Sequence, residues 1–207
     1  MKNLIIVGAG GFGREMYYLI NSINSRRPTW NVLGFINDIP VDLAAKKIEK
    51  PILGPIRDWQ PRENEFFAMG ISSPNGKEKV ANILKSRGAQ FATIVDPLAI
   101  VNETVELGEG CVISGFASIG DCAKLGKFVH VAGSMIGQDR MIGDYSTTTG
   151  FTNVATGNVG KRCFVSSHAV ILRGIGDDVF VAAGSVVMSK IKSGLRVMGC
   201  PATQFDL

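Results

Sequence analysis

From Pro97 onward the 207-residue chain places an aliphatic side chain at every sixth position. Val101, Leu107, Ile113, Ile119, Leu125 and Val131 are each six apart. The register slips by one to Ile136, continues through Ile142, Thr148 and Val154, slips again to Val159, and runs on through Val165 and Ile171. After a two-residue deletion it resumes at Ile175, Val181 and Val187. A period of six belongs neither to a helix nor to a half-buried strand. It is the period of a parallel β-helix, in which three hexads make one coil and each flat face sends one aliphatic residue inward. The slips read as shortened corners. Glycine follows the aliphatic position at Gly108, Gly120, Gly126, Gly137, Gly143, Gly160 and Gly176. The chain has 25 glycines, against the ~15 that an average ~7% content gives. The expectation is that they relieve Cβ clashes at the corners.

Residues 1–96 follow another pattern, which divides the chain into two domains, 1–96 and 97–207. Asn3 to Val7 reads as a buried strand, and Gly13 to Ile23 as a helix with Met16, Leu19, Ile20 and Ile23 at helical spacing. Strands are expected at Val32–Ile36, Phe66–Ile71 and Phe91–Val95, with a helix from Lys77 to Arg87 that Gly88 stops. Strands alternating with helices give βαβ units and a small parallel sheet. The fold class is therefore an α/β, Rossmann-like subdomain followed by a β-helix.

Gly8-x-Gly10-x-x-Gly13, after a strand and before a helix, has the spacing of a turn that lets the backbone approach a phosphate at a helix N-terminus. Packing of the helix on the strand is the competing reason for such glycines. A dinucleotide site also wants an acid ~20 residues on, and Asp38 follows Gly13 by 25. The 22 Lys and Arg against 18 Asp and Glu are scattered, and aromatics are 8% of the chain, so a nucleic-acid partner is not suggested. No apolar run approaches the ~20 residues of a membrane span. Cys111, Cys122, Cys163 and Cys200 form no C-x-x-C pair, and no metal-ligand spacing is present. The composition reads as a cytoplasmic protein with free, partly buried thiols.

With the GAGGFG turn, the hexads and the closing Val197-Met198-Gly199-Cys200-Pro201-Ala202, the chain resembles, nearly end to end, the NeuD-like and PglD-like family of sugar O- and N-acyltransferases. The resemblance implies a left-handed β-helix, a homotrimer, and acetyl-CoA held as co-substrate between neighbouring helices. The N-terminal domain would hold a sugar or nucleotide sugar at Gly8, Gly10, Gly11 and Gly13, with Asn37-Asp38 at the base and Gly70 nearby. The family pattern usually has two acids where Asn37-Asp38 stand. Ala183, Gly184, Gly199 and Pro201 match positions that pack on the pantetheine arm, and Thr147 falls in the same cofactor set.

The chain departs from the family where a base takes the proton of the attacking amine or hydroxyl. The family has a histidine and an acid just before an Ile-Gly; here the residues are Gln138 and Asp139, before Ile142-Gly143. A second family histidine, nine residues on, corresponds to Thr147. A neutral amide positions a substrate but accepts no proton. His130 and His168 are the only imidazoles, and each is first read as a corner histidine. A trimer groove is lined by two subunits, so a histidine from another face could reach the acyl carbon, and His168, flanked by the hydroxyls of Ser166 and Ser167, is the better catalytic candidate of the two. Asp139, or water held by Gln138 and Asp139, is another route, and it suffices more easily for an amine.

Thr148 is expected to fill a coil with local hydrogen bonds, and Met135, Met141, Met188 and Met198 to fill core, with the lining of a CoA or partner groove as the alternative. The alternative to an acyltransferase is a binding or regulatory homologue that keeps the sugar and CoA pockets without turnover. An NAD-linked enzyme leaves the repeat half unexplained.

Overall fold

The computed structural model describes residues 1–206. A five-stranded parallel sheet comes first: β1 (Lys2–Val7), β2 (Trp30–Ile36), β3 (Ile52–Gly54), β4 (Glu65–Met69) and β5 (Gln90–Phe91), in the order β3-β2-β1-β4-β5. Helix α1 (Gly11–Arg26) follows β1, and α2 (Pro74–Ser86) follows β4. Leu4 and Ile6 of β1 pack with Met16 and Ile20 on one side, while Ile5 and Val7 pack with Ala81 and Leu84 on the other. This two-sided burial is why β1 is apolar at every position from Leu4 to Val7. Strand order reverses between β1 and β4, so the ends of β1, β2 and β4 open onto a crevice of the kind where ligands bind in such sheets.

The expected strand Phe91–Val95 is two elements. Gln90–Phe91 completes the α/β sheet, whereas Ile94–Val95 pairs with Val112–Ile113 as the first rung of the β-helix. The sequence reading also missed β3, three residues long and without apolar alternation.

The β-helix has three faces. Face 1 stacks Ile94–Val95, Val112–Ile113, His130–Val131, Thr147–Thr148, Phe164–Val165, Phe180–Val181 and Arg196–Met198. Face 2 stacks Ile100–Val101, Ser118–Ile119, Met135–Ile136, Asn153–Val154, Val170–Ile171 and Val186–Val187. Face 3 stacks Glu106–Leu107, Lys124–Leu125 and Met141–Ile142, and is continued by single bridges at Val159, Ile175 and Ile191. The second residue of each two-residue strand is the hexad position, and these side chains form one continuous core with Cys111, Ala123, Cys163 and Ala169. Thr148 occupies an inward position, but its hydroxyl has no partner. The expected local hydrogen bond is not made.

The glycines after the hexad positions do relieve Cβ clashes, but the clash is with the backbone of the next coil rather than within the turn. A Cβ on Gly108 would lie 2.6 Å from the carbonyl carbon of Gly126, one on Gly143 2.6 Å from that of Gly160, and one on Gly160 2.4 Å from the oxygen of Gly176. They let one coil approach the next. The left-handed corner residues are mostly larger, including Phe116, Asp139, Tyr145, Phe151 and His168. The four methionines are about half exposed rather than core. Met135 and Met141 each precede an inward isoleucine, and period-two alternation turns them outward.

Candidate functional site

The GAGGFG turn divides into packed and open glycines. A Cβ on Gly13 would lie 2.0 Å from the Gly8 oxygen, one on Gly70 2.8 Å from the Gly13 Cα, and one on Gly8, at φ +94°, 3.0 Å from Ile71. Gly13 and Gly70 are thus required by close approach of backbone to backbone, and Gly8 by its left-handed torsion. Gly10 and Gly11 face open space. Gly10 caps α1 without any side-chain hydrogen bond, so the first-turn N–H groups are free for an anion, favoured there by the helix dipole. The Asn37 Oδ1 accepts from the Ala9 N–H at 3.0 Å, and its Nδ2 donates to the Ile39 carbonyl. Asn37 therefore holds the turn closed. Exposed Asp38 accepts from the Arg57 N–H at 3.0 Å through one oxygen. Beyond it lies a cavity of about 390 Å³ that includes Gly54, Asp58, Trp59 and Arg62. The buried Trp59 Nε1 has no partner there. Sequence reasoning missed this wall because it lies in an irregular loop.

The crevice is closed from below by face 1. The Lys77 side chain is fully buried, and its ammonium donates to the Ser146 carbonyl at 2.9 Å and to Thr147 Oγ1 at 2.8 Å. Thr147 Oγ1 in turn donates to the Ser72 carbonyl at 2.7 Å. Thr147, expected at the cofactor, is instead a buried pin between the two domains. In the adjacent rung of the same face stands His130, 1% exposed, its ring stacked 4.7 Å from that of Phe12. Burial lowers the pKa of Lys77 well below 10.5. It also lowers that of His130 well below 6.5, helped by the Lys77 charge.

His130 has a consequence for stability. Below pH 6.5 the unfolded chain binds a proton that the folded imidazole refuses, so the unfolded state holds more protons and stability falls with pH. Chemical denaturation at pH 7.5 and 5.5 should show a loss of about 1.4 kcal/mol from this group, before carboxylates titrate. His130→Phe should flatten that window. An unchanged pH slope in the variant would refute the assignment.

Gln138 and Asp139 lie exposed at the corner between faces 2 and 3, with Asp139 at φ 59°. The Gln138 carbonyl accepts from the Arg140 Nε at 2.8 Å, and the Asp139 N–H donates to the Asp121 carbonyl at 2.8 Å. That corner is across the prism from face 1, which carries the N-terminal domain. Exposed His168, at φ 62°, lies on the corner between faces 1 and 2, stacked 5.3 Å from Phe151. The Gly184 N–H donates to the carbonyl of neighbouring Ser167, and Gly199 lies on the next coil, where its N–H donates to Ser185 Oγ. The structure thus groups His168 with exposed Ala183, Gly184, Gly199 and Pro201 along one edge. It does not bring His168 to Gln138 or Asp139 within one chain.

Residues 3–84 match the family described as PglD N-terminal domain. Across 96% of this chain and 94% of the relative, the sequence is 28% identical to a GDP-perosamine N-acetyltransferase of Escherichia coli O157:H7. The chain is thus similar, nearly end to end, to a sugar N-acetyltransferase, and its N-terminal part to the PglD N-terminal domain. The acetyltransferase domain of PglB from Neisseria gonorrhoeae superposes on this chain with a TM-score of 0.88, at 18% identity over 99% of this chain and 100% of that one. PerB from Caulobacter crescentus, in complex with CoA and GDP-perosamine, gives 0.86 at 21% identity, over 100% and 98%. The fold is therefore theirs throughout, and the repeat half of this chain is a left-handed β-helix. Among the described residues no helix is long and apolar enough to cross a membrane.

Proposed function

We propose that the protein is an acetyl-CoA-dependent N-acetyltransferase acting on a nucleotide-linked amino sugar, working as a cytoplasmic homotrimer in glycan biosynthesis. The observation that carries this reading is the docking of an open glycine turn, with Gly10 and Gly11 unobstructed, onto face 1 of a β-helix. Residues 1–96 hold the sugar nucleotide: its diphosphate at the N-terminus of α1, its base toward Asp38 and Trp59. Residues 97–207 hold the thioester along the edge of Ala183, Gly184, Gly199 and Pro201.

Gln138 and Asp139 lie across the prism from the sugar domain of their own chain, so a neighbouring chain supplies them. Exposed apolar groups on face 2 and its corner, Ile100, Met135, Phe116 (82% exposed) and Phe151 (73% exposed), suit burial between copies. The sugar nitrogen attacks the thioester carbonyl carbon, backbone N–H groups at the coil corner hold the oxyanion, and the carbon–sulfur bond breaks. The nitrogen's proton passes to Asp139 or to water held between Asp139 and Gln138 and from there to the departing thiolate, so that CoA leaves as the thiol and the carboxylate is restored. A neutral amine is already nucleophilic, so this corner works for an amine without an imidazole.

Mixing the protein with acetyl-CoA and GDP-perosamine, or a UDP-linked amino sugar, should release one thiol for each acetylated sugar formed. Absence of thiol across a panel of amino-sugar nucleotides and acyl-CoAs would sink the proposal. The second reading, a binding homologue without turnover, is favoured by one observation: glutamine and threonine stand at 138 and 147 where the family resemblance expects histidines.

A further inference from the structure

Nothing in the proposed transfer uses His130. Its imidazole is buried, and neither ring nitrogen has a hydrogen-bond partner. A neutral imidazole carries one donor and one acceptor, and orphaned buried groups of this kind are rare enough to need a reason. The Lys77 ammonium is taken up by Ser146 and Thr147. What covers the ring is Phe12, stacked at 4.7 Å from the first turn of α1, inside the glycine turn itself. Beside Phe12 a cavity of about 320 Å³ opens along the seam, lined by Glu15, Met16, Asp96, Val112 and Ser114 as well as Phe12. The phenyl ring has somewhere to go.

We propose that Phe12 is a displaceable cap and that His130 is a sugar-contacting residue. When a nucleotide-linked sugar places its diphosphate at the N-terminus of α1, the Phe12 ring turns into the neighbouring cavity. A sugar hydroxyl or amino group then takes the imidazole nitrogens. This deepens the proposed function and rests on its assignment of the glycine turn to the sugar nucleotide.

Recognition suits the geometry better than proton transfer at the thioester. On face 1 the His130 rung is three rungs from that of Val181, at the Ala183 edge, roughly 14 Å at ~4.8 Å per rung, so a sugar held at His130 reacts with a thioester on the edge of a neighbouring chain, not of its own. Buried groups built to bond a substrate polar atom also discriminate strongly against sugars that lack it.

Steady-state transfer by the full chain, with GDP-perosamine and a UDP-linked amino sugar as probes, tests this. His130→Phe should raise KM for the sugar nucleotide at least tenfold, leave KM for acetyl-CoA within twofold, and leave binding of GDP or UDP alone unchanged. His130→Asn, which restores one donor and one acceptor, should recover most of the loss. A sugar-nucleotide KM within twofold of wild type in His130→Phe overturns the proposal. Should that variant not fold, NMR of the wild-type imidazoles decides, since the chain has only two histidines. The His130 ring nitrogens should shift with either sugar nucleotide and not with GDP or UDP; no shift with either overturns it. Missing thiol release by the wild type sinks the enzymatic reading, whereas normal turnover with an unshifted His130 sinks only this inference.

Discussion

Gln138→His is expected to raise the rate of thiol release by about 10²-fold or more, within the ~10²–10⁴-fold that a positioned general base contributes. Gln138 is exposed and engaged only through its backbone, so the substitution disturbs no packing. The new imidazole stands beside Asp139, whose left-handed backbone is fixed by its N–H on the Asp121 carbonyl. An adjacent carboxylate favours the protonated imidazole, which suits a base that accepts the proton as the amine attacks. The wild-type corner has only the carboxylate and water, and a neutral amide takes no proton at any ordinary pH. Initial rates between pH 5 and 8 should therefore rise through an imidazole titration in the variant, with no such limb at that position in wild type. A variant within twofold of wild type, and equally flat with pH, would place the base elsewhere. A variant that turns over where wild type does not would show intact pockets and a missing base.

The β-helix was legible because its constraint is one-dimensional. Each inward position must be small-branched and apolar, and the chain returns to it every six residues, so Ile113, Ile119, Leu125 and Val131 announce themselves. The shortened corners showed as slips in that beat. Side chains whose environment is set by the other domain were not legible. His130 precedes inward Val131, and alternation sends it outward, normally to water; only the docking of α1 and α2 on face 1 buries it. Lys77 carried a faint signal, since it shares the helical stripe of Ala81 and Leu84, the buried face of α2. A lysine at the edge of an amphipathic pattern ordinarily reads as solvated.

Residue type misled at the corners as well. The left-handed positions hold residues such as Tyr145 and His168 where glycine is the ordinary choice, while the glycines after each aliphatic relieve a Cβ clash with the next coil. Local sequence describes backbone torsion better than it describes contact between coils 16 to 18 residues apart in pairing.

The same distinction between torsion and contact separates two glycines in the turn. Gly13→Ala is expected to destabilise the protein by about 4 kcal/mol, in the range where a named structural cause is required. Its Cβ would stand 2.0 Å from the Gly8 oxygen and 2.8 Å from the Gly8 carbon. Neither side can yield. Gly8 donates its N–H to the Ile36 carbonyl at 2.8 Å at the end of the central strand, and Gly70 donates to the Val7 carbonyl at 2.9 Å while packing against the Gly13 Cα. Moving α1 outward would also lift Met16 and Ile20 from the sheet core. For a chain of this size the loss corresponds to roughly 8–16 °C in thermal midpoint. Gly11→Ala is the contrasting case. Its Cβ meets nothing within 4 Å, and alanine is the better helix former, so the midpoint should hold or rise slightly. With the sugar nucleotide bound as proposed, a methyl there stands in the path of its diphosphate, so KM for the sugar nucleotide should increase while KM for acetyl-CoA stays put. If Gly11→Ala leaves both KM values unchanged, the turn exists only to pack a helix on a strand. If Gly13→Ala melts with the wild type, the close approach of Gly8, Gly13 and Gly70 does not hold the two elements together.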